Sequence, residues 1–220
     1  MDCPVNAPFA YPLGVISWVR PAPRAAARDD PDAADVARAR AGDEAAFERL
    51  VSRHEAALYR LAWRMLGRRE EALDAVQEAF LRVFRGLGSY RGEAAFRTWA
   101  TGIAINVCRN RLAAAETRAS RRSRSLDAPA REGGELREPA LPDPSPGPEA
   151  EARGAELRRA LGRALAELTP EHRAVLLLCE MQGLSYEEAA AALGCRLGTV
   201  RSRLARARGA LRERLEGIWP

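Results

Sequence analysis

GLSYEEAAAALGCRLGTVRSRLARARGALR, Gly183 to Arg212, is the stretch whose reading decides the fold. It reads as two short helices joined by a tight turn, the second rich in arginine. This is the sequence form of a helix-turn-helix, which sets its second helix into the major groove of DNA. Ser185 is a favourable N-cap, and Glu188 completes a capping box, since hydroxyl and carboxylate each satisfy an amide that the first turn leaves open. Small apolar residues follow, then Leu193-Gly194, where glycine permits the left-handed backbone that ends a helix. The second helix is expected to start near Gly198 or Thr199.

At about 100° per residue the faces of that second helix separate. Val200, Leu204, Ala207 and Leu211 form one narrow apolar stripe. Ser202, Ala205 and Gly209, all small, lie opposite, flanked by Arg201 and Arg206. A ridge of small residues lets the backbone approach a groove floor, and guanidinium forks at its edges can reach guanine acceptors or clamp phosphates. Arg203, Arg208 and Arg212 lie further round and are expected to meet phosphate. A solvated, arginine-rich surface helix would account for the charge. It would not account for the capping box, the turn glycine, the stripe and the ridge together.

Working outward, the 220 residues suffice for one or two small domains with real cores. The 35 basic residues are all arginine, and the formal charge is +5, mildly basic and compatible with a polyanionic partner. Alanine is also abundant, and GC-rich codons favour both residues, so the placement of arginine carries more information than its total. Cys3, Cys108, Cys179 and Cys195 have no metal-ligand spacing, and only His54 and His172 could join them, so no metal and no cofactor are expected. Cys179 lies in an apolar run and Cys108 in a helical pattern, which suits small buried side chains in a reducing cytoplasm. No apolar run approaches membrane-spanning length, so no membrane insertion is expected.

The chain divides into four stretches. Residues 1–30 carry Pro4, Pro8, Pro12, Pro21 and Pro23 without a cationic start, and are expected to be a disordered tail rather than a signal peptide. Residues 31–115 are helical by period. A short helix near Asp32 to Ala41 is followed by three longer ones. Phe47, Leu50, Val51, Leu58, Leu61 and Met65 mark a helix closed by Gly67. Leu73, Val76, Phe80, Val83, Phe84 and Leu87 mark one closed by Gly88, and Phe96, Ala100, Ile103, Ala104 and Val107 mark another. Residues 116–154, with Pro129, Pro139, Pro142, Pro144, Pro146 and Pro148, lack periodic apolar residues and are expected to be a flexible tether. Residues 155–220 are helical again. Leu157, Leu161, Leu165 and Leu168 form a stripe, and Thr169-Pro170 is an N-cap followed by proline at the first helical position. The fold class is therefore all-α: two small helical domains joined by a Pro-rich linker.

Two constellations lie in the first domain. On the helix from Glu70 to Arg85, the side chains Asp74, Gln77, Glu78, Leu81 and Arg85 group within about 60°. This face suits either a protein-docking surface or a solvated face with ion pairs between turns. Further on, Trp99, Asn106 and Asn110 line one edge of a helix with Arg97 and Arg109 near. A ring that stacks, amides that read a base edge and an arginine that meets phosphate could hold an unstacked base. A tryptophan at a core boundary is the plainer reading of Trp99.

On these residues the chain resembles bacterial sigma factors of the extracytoplasmic-function type. The resemblance covers roughly Asp43 to Leu112 and Leu161 to Leu215. It rests on EEALDAVQEAFLRVF and SYRGEAAFRTWATGIAIN in the first part, and on LTPEHRAVLLLCEMQGLSYEEAAAALGCRLGTVRSRLARAR in the second. It implies a subunit that binds core RNA polymerase and directs initiation at promoter DNA, in some relatives held by an anti-sigma factor. By resemblance, Asp74, Gln77 and Glu78 bind a polymerase coiled coil. The loop Ser89 to Ala95, with Arg97, Trp99, Asn106 and Asn110, recognises and opens the minus-ten element. Thr199, Arg201, Ser202, Arg203 and Arg206 match the helix that reads the minus-thirty-five element. Arg196-Leu197 stands in the turn where relatives often have a small residue or proline, and Arg196 there is expected either to add a phosphate contact or to alter the turn. The alternative function is a stand-alone helix-turn-helix regulator, which would bind duplex tightly without polymerase and as a dimer. A nucleic-acid enzyme lacks support: there is no metal-ligand cluster, glycine-rich phosphate loop or nucleophile–base pair.

Overall fold

The computed structural model describes residues 30–123 and 148–216, and these are helical apart from short connections. The first unit comprises α1 (Ala33–Arg40), α2 (Glu44–Leu66), α3 (Arg69–Gly86), a 3-10 turn at Leu87–Ser89 and α4 (Phe96–Ser123). The second comprises α5 (Pro148–Ala166), α6 (Pro170–Leu176), a π turn at Leu177–Met181, α7 (Tyr186–Leu193) and α8 (Leu197–Leu215).

Local chemistry sets most of the helix ends. Asp43 caps α2 by accepting from the Ala46 amide at 3.0 Å, and Gly67 ends it in the left-handed region at φ +75°. Thr169 caps α6, with Pro170 at its first position. Ser185 and Glu188 form the complete capping box of α7, and Gly194 closes that helix at φ +61°. The amino end of α4 is capped from far away: Asp30 accepts from the Phe96 amide at 2.7 Å.

Burial follows the helical period. In α2, Leu50, Leu58, Leu61 and Met65 are fully buried, and they meet Val76 and Val83 of α3 and Phe96, Ile105 and Val107 of α4. In the second unit Leu177, Leu178 and Leu184 pack under Val200, Leu204, Ala207 and Leu211 of α8. The units also pack on each other, α4 against α7 and α2 against α5 and α6, so that one apolar cluster runs through both.

The structure differs from the periodicity in several places. Helix α3 ends at Gly86, not Gly88, because a 3-10 turn takes up the last residues. Leu73 and Phe84 point outward, about half exposed, although the stripe placed them inside. Val76, Phe80 and Val83 of the stripe are buried as expected, but Ala72, Ala75 and Ala79 are buried beside them, so the buried face of α3 is rotated away from Leu73 and Phe84 and leaves these two at its edge. Helix α4 runs on to Ser123 and α5 begins at Pro148, so both ends of 116–154 are helical. Helix α8 starts at Leu197, slightly before the expected Gly198. The tail before Asp30 and the middle of the tether lie outside the described residues.

Candidate functional site

Three surfaces carry the candidate residues. The first is α8. Its apolar stripe, Val200, Leu204, Ala207 and Leu211, is buried, so the opposite side must face outward. Arg201, Ser202, Ala205, Arg206 and Gly209 are all exposed there, as is Arg196 at the N-cap. Thr199 and Arg203 are half-buried at the edges. The Ser202 hydroxyl donates to the Thr199 carbonyl at 3.1 Å, which folds it flat against the helix and keeps the ridge low. Arg208 does not join this face. Its Nε donates to Glu180 at 3.1 Å, an ion pair that ties α8 to the π turn. Burial pushes the Glu180 carboxyl up, and the Arg208 hydrogen bond only partly offsets it. The expectation that Arg208 meets phosphate is thereby corrected: its guanidinium is engaged with a half-buried acid.

The second surface is α4 with the loop before it. Trp99 is half-buried and its ring lies 4.9 Å from Tyr90 and 6.0 Å from Phe96. A Cβ placed on Gly86 would come within 3.2 Å of the Trp99 ring, so glycine there lets the ring seat against the end of α3. The Tyr90 hydroxyl donates to the Ala94 carbonyl at 2.6 Å and folds the loop back on itself. Burial pushes the Tyr90 phenol up to about 12, with Asp30 and Asp32 adding to it, so this donor stays protonated. Asn106 and Asn110 are exposed on α4. Arg97 is not grouped with them. It donates to the Gln182 backbone carbonyl and, at 3.4 Å, to the Gln182 side-chain oxygen in the second unit. The structure therefore brings Trp99, Asn106 and Asn110 onto one helix but turns Arg97 into the seam between units.

The third surface is an open groove of about 470 Å³ between α2 and α3. Phe47, Val51, Leu73, Leu81 and Phe84 supply its apolar wall, and Asp74 and Gln77 stand at its edge. Phe47 and Phe84 meet edge to face at 5.0 Å. Asp74 and Gln77 are exposed, but Glu78 is half-buried and occupied: Arg111 donates to it at 2.9 Å and Arg82 at 2.6 Å. The Arg111 hydrogen bond holds the Glu78 carboxyl below its usual range, with Arg82 adding to it. The ion-pair reading of this face thus holds for Glu78. Leu81 lies on the face expected from the angular grouping, whereas the helical period alone puts Leu73 and Phe84 in the core. Their position at the border of the apolar stripe, beside Gln77 and Leu81, was the signal that could have found the groove.

Beneath α1 lies a supporting network. Asp32 is buried, accepts from Arg53, and pairs with His54 Nε2 at 2.7 Å. Burial raises the Asp32 carboxyl, but the hydrogen bonds from His54 and Arg53 outweigh it and hold it below the ordinary 3.8. Cys108 and Cys179 are buried, with thiols pushed up to about 12 by desolvation, which makes them inert side chains. Among the described residues no helix is long and apolar enough to cross a membrane.

Comparison with known proteins agrees with this geometry. Residues 50–118 match the model of Sigma-70 region 2, and residues 158–211 match that of Sigma-70, region 4. The chain is 35% identical to the ECF RNA polymerase sigma factor SigE of Mycolicibacterium smegmatis, over 96% of this chain and 79% of that one. It is 38% identical to the ECF RNA polymerase sigma-E factor of Escherichia coli, over 83% of this chain and 93% of that one. Two solved structures are similar, each at a TM-score of 0.59 and 25% identity. One is CnrH in complex with the cytosolic domain of CnrY, covering 84% of this chain and 97% of that one. The other is the sigma factor RpoE of Bartonella quintana in complex with the anti-sigma factor NepR, covering 77% and 96%. Two region models in this order, together with relatives matched over 79% and 93% of their length, show that the chain belongs to the ECF sigma factors of RNA polymerase and acts in transcription initiation as an alternative sigma factor, not as an enzyme.

Proposed function

We propose that the chain works in the cytoplasm by dividing promoter recognition between its two units, residues 31–115 and 155–220, while the α2–α3 groove holds it to core polymerase. The observation that carries this reading is the exposed face of α8, a ridge of Ser202, Ala205 and Gly209 between Arg201 and Arg206, with the apolar stripe buried behind it. A helix of that profile can enter a major groove because nothing bulky stands between its backbone and the base edges. Arg201 and Arg206 supply forks for guanine O6 and N7. Arg196, Thr199, Ser202 and Arg203 meet the phosphates that set its register at the minus-thirty-five element.

At the minus-ten element the strand must come apart, and the donors needed are different. Trp99, braced by Tyr90 and Phe96, offers a fixed ring edge for stacking, and Asn106 and Asn110 offer amide donors and acceptors to an unstacked base. The groove of Phe47, Val51, Leu73, Leu81 and Phe84, with Asp74 and Gln77 beside it, suits an amphipathic polymerase helix whose rim is basic. In this reading Glu78 acts through its pairs with Arg111 and Arg82, which hold α3 against α4, rather than by touching polymerase. The similarity to an RpoE–NepR complex supports an anti-sigma partner for this chain as well. Reconstitution with core polymerase and mapping of transcript starts across a genome tests the whole reading. Starts sharing two spaced sequence elements are expected, whereas sharp duplex selection by the chain alone would favour a stand-alone regulator.

A further inference from the structure

Helix α4 begins without a local cap. Ala94 and Ala95 precede Phe96 and carry no side-chain acceptor, so the open amide of its first turn must be satisfied from elsewhere. Asp30, 66 residues upstream, supplies the acceptor. Its Oδ2 takes the Phe96 amide at 2.7 Å and its Oδ1 the Asp32 amide at 3.1 Å, so one carboxylate joins the start of α1 to the start of α4. Asp32 is itself fixed on α2 through Arg53 and His54. At the other end of α1, Arg40 donates to the Gly88 carbonyl at 3.3 Å. Val36 and Ala39 of α1 are buried in the same cluster as Leu87, which secures the helix between these two points.

The two fastenings bracket the loop Ser89 to Ala95, with Gly88 just before it and Phe96 just after. Between them α1 and the loop stand apart across an open pocket of about 170 Å³, lined by Arg40, Tyr90, Arg91 and Gly92. Arg91 and Glu93 are exposed. The loop is a short arch with α1 holding both feet. The hold extends to Trp99. Phe96 is fully buried, and its ring lies 5.5 Å from His54, 6.2 Å from Tyr90 and 6.0 Å from Trp99. Fixing the Phe96 backbone therefore fixes the ring cluster that carries Trp99. Asp30 and Arg40 lie outside the matched region model, which begins at residue 50.

Resting on the reading of Trp99 and this loop as the part that opens the minus-ten element, we propose that Asp30 and Arg40 are positioning residues for strand opening. Neither touches DNA. They hold the loop and Trp99 in one place, so that an unstacked base meets a site already ordered and no ordering entropy is subtracted from the energy of opening.

The test uses the full chain with core polymerase and follows permanganate reactivity of the melted region over time. Asp30→Ala should keep core binding and initial promoter binding within about two-fold of the parent but slow opening about ten-fold, the weight of one charge-assisted hydrogen bond. Arg40→Ala should slow it about three-fold, because that bond is longer and exposed. Asp30→Asn keeps an oxygen for the Phe96 amide and should recover most of the rate. A double-mutant cycle with Trp99→Leu separates positioning from direct contact. If Asp30 acts by placing Trp99, its effect should shrink to within about two-fold in the Trp99→Leu background. Additive losses, or normal opening by Asp30→Ala, would overturn the proposal. Normal opening by Trp99→Leu alone would instead remove the reading underneath, and the proposal with it. Hydrogen exchange in the unbound chain needs no Trp99 variant. The Phe96 amide should exchange at least about ten-fold faster in Asp30→Ala, with α6 to α8 unchanged. An unchanged Phe96 amide, or protection lost throughout both units, would also overturn it.

Discussion

Removing the Phe84 ring tests the docking groove most directly. Phe84 is 53% exposed, so roughly 100 Å² of a ring of this size remains open to solvent. If a polymerase helix covers it, burial at about 25 cal/mol per Å² is worth about 2.5 kcal/mol. The Cβ that Phe84→Ala retains, and imperfect packing in the complex, reduce this to about 2 kcal/mol, or about thirty-fold in Kd. The cost to the free fold should be smaller, about 1 kcal/mol, because only the edge-to-face contact with Phe47 and partial burial are lost. The assay is equilibrium binding of the labelled chain to core polymerase, beside a urea unfolding curve for each variant. A thirty-fold loss of affinity with a small change in midpoint is expected. An affinity within three-fold of the parent would remove the groove from the docking surface, and a parallel collapse of stability would mean that Phe84 serves the core.

Four further outcomes are expected. Arg201→Ala or Arg206→Ala should each weaken promoter-specific transcription by about 1–3 kcal/mol per lost base contact while core binding persists; unchanged promoter choice would contradict the assignment of α8. Asn106→Ala should impair strand opening more than initial binding, read as reduced permanganate reactivity of the melted region, and normal reactivity would count against it. Arg173→Met should lower stability by about 2–4 kcal/mol in urea unfolding, since the carbonyls of Met65, Ala166 and Leu168 lose their donor; a cost below about 1 kcal/mol would show that these carbonyls find other partners. The folded Asp32 carboxyl is depressed below 3.8, so its stabilisation is present above that pH and is lost as pH falls through the folded value. The gap in stability between the parent and Asp32→Asn should therefore be wide at pH 6 and should close below about pH 3.8, and a gap independent of pH would refute the role of the charge.

What could be read from the residues alone is what acts over a few positions. The Ser185–Glu188 box, the Thr169-Pro170 start and the glycine stops at Gly67 and Gly194 were legible because each is a hydrogen bond or a backbone preference within one helical turn. The buried stripe of α8, and with it the outward ridge between Arg201 and Arg206, followed from the helical period. Partner choice was not legible, because it depends on residues distant in the chain. Arg97 finds Gln182, Arg208 finds Glu180 and Glu78 finds Arg111 only once helices have packed. The outward turn of Leu73 and Phe84 has the same origin. A period locates an apolar face but not its centre, and here the buried face of α3 includes Ala72, Ala75 and Ala79 beside Val76, Phe80 and Val83, which leaves Leu73 and Phe84 at the rim. Local bonding thus writes the helices and their caps into the sequence, while packing between helices decides which arginines are engaged in ion pairs and which apolar residues stay exposed at the surface.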